Sequence, residues 1–404
     1  MRIVFKMALA AALFLGCGPM PDDGRKLVTD EALDTPLRGV TEAERAAFFA
    51  GDATFDAMYR PVDGLGPLYI RGSCASCHEE ATNGPGVVEK MAAVYDDGIT
   101  PKPVDFPYGR SVRPYVTAGA TTPVEPGPDL KVTQRVGLPI LGRGYLEAIR
   151  DDEIERVEAL QSERARRGES QVTGRINRVT RHSQANPDDP THHLQFGDSG
   201  LVGRFGAKAR VATLDDFAAD ALQGDMGMTS PLRPEELPNP DGLTDDLHPG
   251  IDVDLDTVNA LATYVRLVEI PQRQEPDPAA VQLFSDIGCA ECHVPSLHTR
   301  ADYPIGALAD IDAPVYTDLL LHEMGTALSD GLEDEDARST EWRTAPLIGL
   351  RFLRAYMHDS RAQTIDEAIR AHQSEGSEAN ASVDRYLSLS AEERQRLTDF
   401  VGSL

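Results

Sequence analysis

Five cysteines constrain this chain more than any other feature of its sequence. Cys74 and Cys77 stand in Cys-Ala-Ser-Cys, followed at once by His78. Cys289 and Cys292 stand in Cys-Ala-Glu-Cys, followed at once by His293. Two thiols three positions apart reach the two vinyl groups along one porphyrin edge, and the next histidine sets its imidazole under the iron. A redox dithiol needs no trailing histidine, and zinc sites rarely place one there. Both pentapeptides therefore read as c-type haem attachment sites, with His78 and His293 as proximal ligands. The fifth thiol, Cys17, closes an N-terminal apolar run, so no cysteine is left for a disulfide. The expected fold encloses two covalently bound haem c groups.

The N-terminal run bears on the compartment. Arg2 and Lys6 form a short positive region, and Met7 to Leu15 is apolar. That stretch is too short to span a membrane, which takes roughly 20 apolar residues. Phe14-Leu15-Gly16-Cys17 resembles a bacterial lipobox, with Phe14 in place of the usual leucine. Residues 1–17 thus read as a lipoprotein signal ending at a lipidated Cys17, the alternative being an ordinary cleaved signal. Either reading puts the protein in the cell envelope of a Gram-negative-type bacterium, in the periplasm. Gly18 after the cysteine favours the outer membrane, where a lipid anchor holds the chain without spanning. Residues 18–40, rich in Pro, Asp and Gly, read as a flexible tether.

The chain has 404 residues, room for two domains with real cores. Apolar content is 41% and aromatics are few, so two buried porphyrins would supply part of the core. A net charge of −27 argues against nucleic acid or anionic lipid as partner. It suits the docking of a basic redox protein, and equally plain solubility. Acidic runs such as Asp188-Asp189 and Glu333-Asp334-Glu335-Asp336 read as solvated loops.

The pattern along the chain is mainly α, with long irregular connections. Thr41-Glu42-Ala43-Glu44 is a capping box opening a helix through about Tyr59. Helices are expected from Asp151 to about Arg167, from Leu214 to Leu222, and through Leu255, Val258, Leu261, Ala262, Val265 and Val268 before Pro271. Gln272 to Pro278 is a polar linker. A helix from Ala279 to Ile287 leads into the second haem motif, and Ser390 caps a last helix carrying Leu397, Phe400 and Val401. His78 and His293 stand 215 positions apart (293 − 78). The expected organisation is two cytochrome c-like haem domains, 41–273 and 274–404, the first enlarged by an insertion.

Several further stretches carry a resemblance. Gly137-Leu-Pro-Ile-Leu-Gly-Arg-Gly144 is followed by Leu146-Glu-Ala-Ile149. Gly203-Arg-Phe-Gly-Ala-Lys-Ala209 leads to Thr213-Leu-Asp-Asp216, and then comes Gly224-Asp-Met-Gly-Met-Thr-Ser-Pro231. The second half holds Tyr316-Thr-Asp-Leu-Leu-Leu-His-Glu-Met-Gly325, Glu341-Trp-Arg-Thr-Ala-Pro-Leu347 and His358-Asp-Ser-Arg361. Together they resemble the bacterial di-haem cytochrome c peroxidase superfamily, in its branch of di-haem oxidoreductases, also called thiol oxidoreductases.

The resemblance implies a peroxidatic haem over His78 and an electron-transfer haem over His293. It places the second axial ligand of the electron-transfer haem at His372, just after Glu367-Ala-Ile-Arg-Ala, where many peroxidases have Met. A bis-histidine iron sits at lower potential than a His/Met one. Met324 and Met357 are weaker candidates for the same role. Peroxide cleavage needs an open iron and a distal acid–base group. Asp225 matches a Glu of the peroxidases, whereas Phe217 stands where a Gln is expected. Arg204 and Lys208 are read as propionate partners or as solvent-facing residues. His182, His192 and His193 are read as loop residues, one of them a candidate sixth ligand of the first haem. His322 and His358 are read as orienting residues rather than iron ligands. Trp342 is read as core packing, with an electron-hopping role as the alternative. Relatives often bind calcium between domains, but no dedicated calcium loop is visible here.

Three functions compete on these residues. In the first, a small redox protein or cytochrome reduces the C-terminal haem, which passes electrons to the N-terminal haem to reduce peroxide or a related oxidant. In the second, the enzyme oxidises a partner protein or a thiol. In the third, the chain is a non-enzymatic, tethered electron-transfer cytochrome.

Overall fold

The computed structural model describes residues 34–79, 87–93, 111–119, 130–189, 191–239, 242–243 and 248–404. The signal, the lipidation site at Cys17 and most of the tether lie outside the described residues. None of the described helices is long and apolar enough to cross a membrane.

The architecture is mainly α. The helices are α1 (Glu42–Asp56), α2 (Arg143–Ala148), α3 (Asp151–Arg166), α4 (Leu214–Met226), α5 (Leu255–Leu267), α6 (Pro278–Asp286), α7 (Ile365–Ala371), α8 (Asn380–Ser388) and α9 (Ala391–Ser403). α1 starts at the expected capping box, with Glu44 N donating to Thr41 Oγ1 at 3.2 Å and Thr41 N to the Glu44 carboxylate at 2.7 Å. α9 starts at the same device on Ser390 and Glu393. α3 carries Asp151, Asp152 and Glu153 in its first turn and Arg164 and Arg166 in its last, as the helix dipole favours. The short helices α2, α7 and α8 were not anticipated. At two or three turns, they are too brief for apolar spacing to stand out.

Short antiparallel ribbons occupy stretches expected to be irregular. Val87–Ala93 pairs with Leu130–Val136. Leu321–Glu323 pairs with Glu341–Arg343, in a register that sets Trp342 opposite His322. These ribbons brace loops and build no larger sheet among the described residues.

Two apolar clusters form the core. The larger holds α1 against α5, where the Phe48 and Phe55 rings lie 5.2 and 5.0 Å from that of Tyr264. The smaller packs α6 against α9, with Phe284 and Phe400 edge to face at 5.6 Å. The smaller cluster draws only on residues beyond Pro278, whereas the larger also takes in Leu297, Tyr303, Leu319 and Ile348.

One crossing fixes the arrangement near the haem motifs. Gly144 in α2 presses on the end of α5, and a Cβ there would stand 1.9 Å from the Arg266 carbonyl oxygen. One turn on, the fully buried Glu147 carboxylate accepts from Arg266 Nε at 2.6 Å, Tyr303 Oη at 2.8 Å and Leu214 N at 2.7 Å. Burial by itself would raise this carboxyl, but the Arg266 guanidinium holds it below its ordinary value of 4.5. The charge thus ties α2, α4, α5 and the Tyr303 loop together. Glu147→Gln leaves Arg266 buried with a weaker partner and is expected to cost about 3–5 kcal/mol. The Glu147 contribution is present in full above pH 4.5 and lost as the pH falls below it. Denaturant midpoints at pH 7, 5 and 3 check both: the gap between wild type and variant should be widest at pH 7 and narrow toward pH 3.

Candidate haem sites

Both Cys-x-x-Cys-His motifs fold into one tight turn. His78 N donates to Cys74 O at 3.0 Å, and His293 N to Cys289 O at 2.9 Å. Positions i, i+3 and i+4 of such a turn share one face, so both sulfurs and the imidazole point the same way. None of the four cysteines is in a disulfide.

The second motif opens into a cavity of about 290 Å³, lined among others by Cys289, Cys292, His293 and His372. The rings of His293 and His372 face one another across it, their centres 6.5 Å apart. Two metal–imidazole bonds of roughly 2.0 Å plus the two ring radii span about 6 Å, so a metal ion fits between them. Local structure prepares both rings. His293 Nδ1 donates to the Tyr316 carbonyl at 3.1 Å. His372 caps the C-terminus of α7, and its Nδ1 donates to the Ala368 carbonyl at 2.7 Å, satisfying an acceptor that the helix end leaves open. Each Nε2 is thereby left as a bare lone pair, the form a metal requires. Burial drives His293 down to about 4, with His372 adding to the effect, and burial lowers His372 as well. Both imidazoles are neutral near pH 7. Met324 and Met357 also line the cavity, but the ring paired with His293 is that of His372.

The rest of the wall is mostly apolar, with Trp342 among it and cations behind that ring. Trp342 stacks on His358 with centres 3.7 Å apart, and its Nε1 donates to the Leu328 carbonyl at 2.9 Å. The Lys208 ammonium and the Arg135 guanidinium lie 4.2 and 5.4 Å from the centre of the Trp342 ring. Trp342 is therefore both packed and on the cavity wall. His358, driven to about 4 by burial, serves as its stacking partner. His322 lies between Asp318 at 2.9 Å and Glu378 at 2.8 Å. Burial opposes its charge, while the Cys292 sulfur and the Asp318 carboxylate push it upward. Cys292, Asp318 and His322 could together hold a metal ion, but a thioether at Cys292 would remove the thiolate from that set.

At the first motif, burial pushes the Cys74 thiol to about 12 and the Cys77 thiol to about 11, with Asp225 adding to both. Asp225, next to the last residue of α4, is thus near enough for its charge to act on both thiols. Its backbone carbonyl accepts from Ile70 N at 2.7 Å. Phe217, two turns earlier, packs against Phe205 at 6.3 Å and under the Arg210 guanidinium at 5.7 Å. Burial lowers His78 to about 4, and Arg143 contributes. The Leu138 backbone lies against the His78 ring, yet Nδ1 has no well-aligned hydrogen bond.

Several sequence expectations meet a different outcome. Arg204 neither faces solvent nor lines the cavity; it binds the carbonyls of Leu146, Ile149 and Val202. Lys208 is fully buried and binds the carbonyls of Arg338, Ser339 and Glu341. Both side chains tie loops together. His182 pairs with Glu335 at 2.8 Å, His192 lies near Glu147 and Asp189, and His193 is exposed. Sequence reasoning passed over Arg143 and Arg343, which line the cavity of the second motif. Each sits inside a quoted motif, but only the fold shows that it is buried.

A single stretch separates the two motifs. Gly137 abuts the first, since a Cβ there would lie 2.8 Å from Cys77 O and 3.3 Å from His78 Cε1. Leu138, Pro139 and Arg143 line the cavity of the second. Gly137→Ala is expected to displace the Cys77–His78 turn and cost about 1–3 kcal/mol. A thermal melt, read beside the absorption band of the first site, checks this; the absorption of the second site should hold.

A family model described as "Di-haem oxidoreductase, putative peroxidase" matches residues 126–404. The match includes the second motif and starts beyond the first. A search of curated proteins returned no match. Among solved structures, a chain of Kuenenia stuttgartiensis hydrazine synthase, pressurised with 20 bar xenon, aligns over 100% of this chain and 99% of its own, at 14% identity and a TM-score of 0.38. That similarity is too slight to carry an argument. With residues 126–404 of a 404-residue chain matched, the chain belongs to the di-haem oxidoreductase family.

Proposed function

We propose that this di-haem oxidoreductase binds two haem c groups covalently, at Cys74/Cys77 and Cys289/Cys292, and works as a peroxidase-like enzyme. The observation that carries the reading is the difference between its two sites. His293 faces His372 across a cavity. His78 is paired with no other imidazole among the described ring contacts. A closed iron suits electron transfer and an open one suits chemistry at the metal. Bound haem would supply one-electron redox chemistry at both sites and peroxide activation at the first.

The protein's own groups supply the rest. His293 and His372 present neutral Nε2 atoms held by the Tyr316 and Ala368 carbonyls. His78 holds the first iron from below. Asp225, whose charge acts on both thiols of that site, is the proton carrier in this reading. Electrons enter from a small basic redox protein, drawn by the net charge of −27. They cross the stretch Gly137 to Arg143 toward the first site, where peroxide or a related oxidant is reduced. The protein would work in the periplasm, held to the outer membrane by a lipid on Cys17. Phe217 favours a second reading, oxidation of a partner protein or thiol, because an aromatic ring fills the place where a peroxidase would carry Gln.

Carbon monoxide added to the ferrous protein tests this. The expected result is one molecule bound per two haems in the wild type and two in His372→Ala. Peroxide with a reduced donor cytochrome should turn over, and Asp225→Asn should slow it by roughly 10²–10⁴-fold, the usual worth of a general acid–base group. No carbon monoxide binding in the wild type, with no turnover, would leave the electron-transfer cytochrome standing instead.

A further inference from the structure

The cavity between His293 and His372 is charged in one direction. Its lining includes two guanidiniums, Arg143 and Arg343. Their residues are only 8% and 6% exposed. Neither forms an ion pair with a carboxylate among the described residues. Arg343 spends its Nε on the Gly206 carbonyl at 3.0 Å and its Nη1 on the Thr344 carbonyl at 3.1 Å. Arg143 Nη1 is buried with no hydrogen-bond partner. The one acidic residue on the lining, Glu378, is committed to His322 and to Thr173. Arg143 thus faces the cavity with no carboxylate acting on it, and Arg343 has only the charge of Asp318, with which it forms no ion pair.

Such an arrangement is costly on its own. A buried charge without a partner is far less favourable than the same charge in water, and a buried donor left unsatisfied adds about 1–3 kcal/mol. Burial pulls Arg143 down to about 9, with the Arg343 charge adding to it, and pulls Arg343 down to about 10 against the opposing charge of Asp318. The fold nevertheless fixes both. Gly144 and Glu147, one and four residues beyond Arg143, are locked on α5. Arg343 closes the ribbon that carries Trp342. A site this positive and this rigid calls for an anionic occupant.

We infer that Arg143 and Arg343 receive the two propionates of the haem at the second motif. The count matches, two guanidiniums for two carboxylates, and an Arg fork suits a carboxylate better than any other cation does. Arg143 also acts on His78. A propionate on Arg143 would therefore point the second haem's acidic edge toward the first site and cancel a positive charge between the two. Arg143 and Arg343 are positioning residues: they touch the cofactor's periphery and set its tilt and potential.

The inference rests on haem at the second motif, and its test reads that haem without turnover. The holoprotein carrying Arg143→Gln, Arg343→Gln or both is titrated redox-potentiometrically at the low-spin, bis-histidine band. Resonance Raman spectra of the same samples follow the propionate bending modes. Loss of a paired guanidinium leaves a propionate uncompensated, which favours the ferric state. The ferric/ferrous ratio at fixed potential should rise at least tenfold per substitution, or 59 mV for one electron. Arg143→Lys and Arg343→Lys should restore most of the potential but not the Raman band, because an ammonium lacks the fork. If the Gln variants fail to mature, the Lys variants decide by the same band. Unmoved potential and propionate modes would overturn the inference, as would a shift confined to the first haem. An absence of haem at the second motif would instead overturn the di-haem reading itself.

Discussion

The buried charge of Glu147 is the interaction on which the rest of the structure depends. Its carboxylate is shared by Arg266 on α5, Tyr303 from beyond the second motif and the backbone at the start of α4. Each partner needs the others, because a buried carboxylate with fewer donors would sooner take up a proton than stay charged. The Arg266 carbonyl also sits where no side chain heavier than that of glycine fits, so α2 has one place to lie. The stretch leading into α2 is the wall between the two haem motifs. The positions of Leu138 and Arg143 are therefore consequences of a salt bridge that touches neither site.

That wall is economical. Gly137 lies on the Cys77–His78 turn, and Leu138 lies against His78 while also lining the cavity of His293. A few residues of backbone serve as floor for one site and ceiling for the other. The ribbon bearing Trp342 closes the cavity from another side and brings His358 into a face-to-face stack. Apolar packing holds α1 on α5 and α6 on α9, while charged groups at the crossings set register.

Much of this was legible in the sequence, and for physical reasons. Thr41 with Glu44 and Ser390 with Glu393 announce helix starts because capping is local. The Cys-x-x-Cys-His turns are local too, since five residues contain the whole geometry. His372 was reached through a motif comparison, and it does face His293. What escaped was non-local. Lys208 looks like any motif lysine until three carbonyls from residues 338–341 close over it. Arg143 looks like an ordinary helix-start arginine until α5 and the Arg343 ribbon enclose it. Burial of a charge depends on which distant segments arrive, and no spacing rule encodes that.

The distance along the chain between His293 and His372, 79 residues (372 − 293), bears on how the molecule is assembled. The sulfurs and first imidazole of the second motif lie within five consecutive residues, whereas the facing imidazole arrives with α7 and the wall beyond it reaches Val401 on α9. Closing a loop of that size carries an entropic cost that later packing, including that of α6 against α9, must offset. A haem attached at Cys289 and Cys292, as proposed, would have one axial face open until α7 and the residues after it are in place. The second site is thus closed by residues that the chain brings in long after the motif itself.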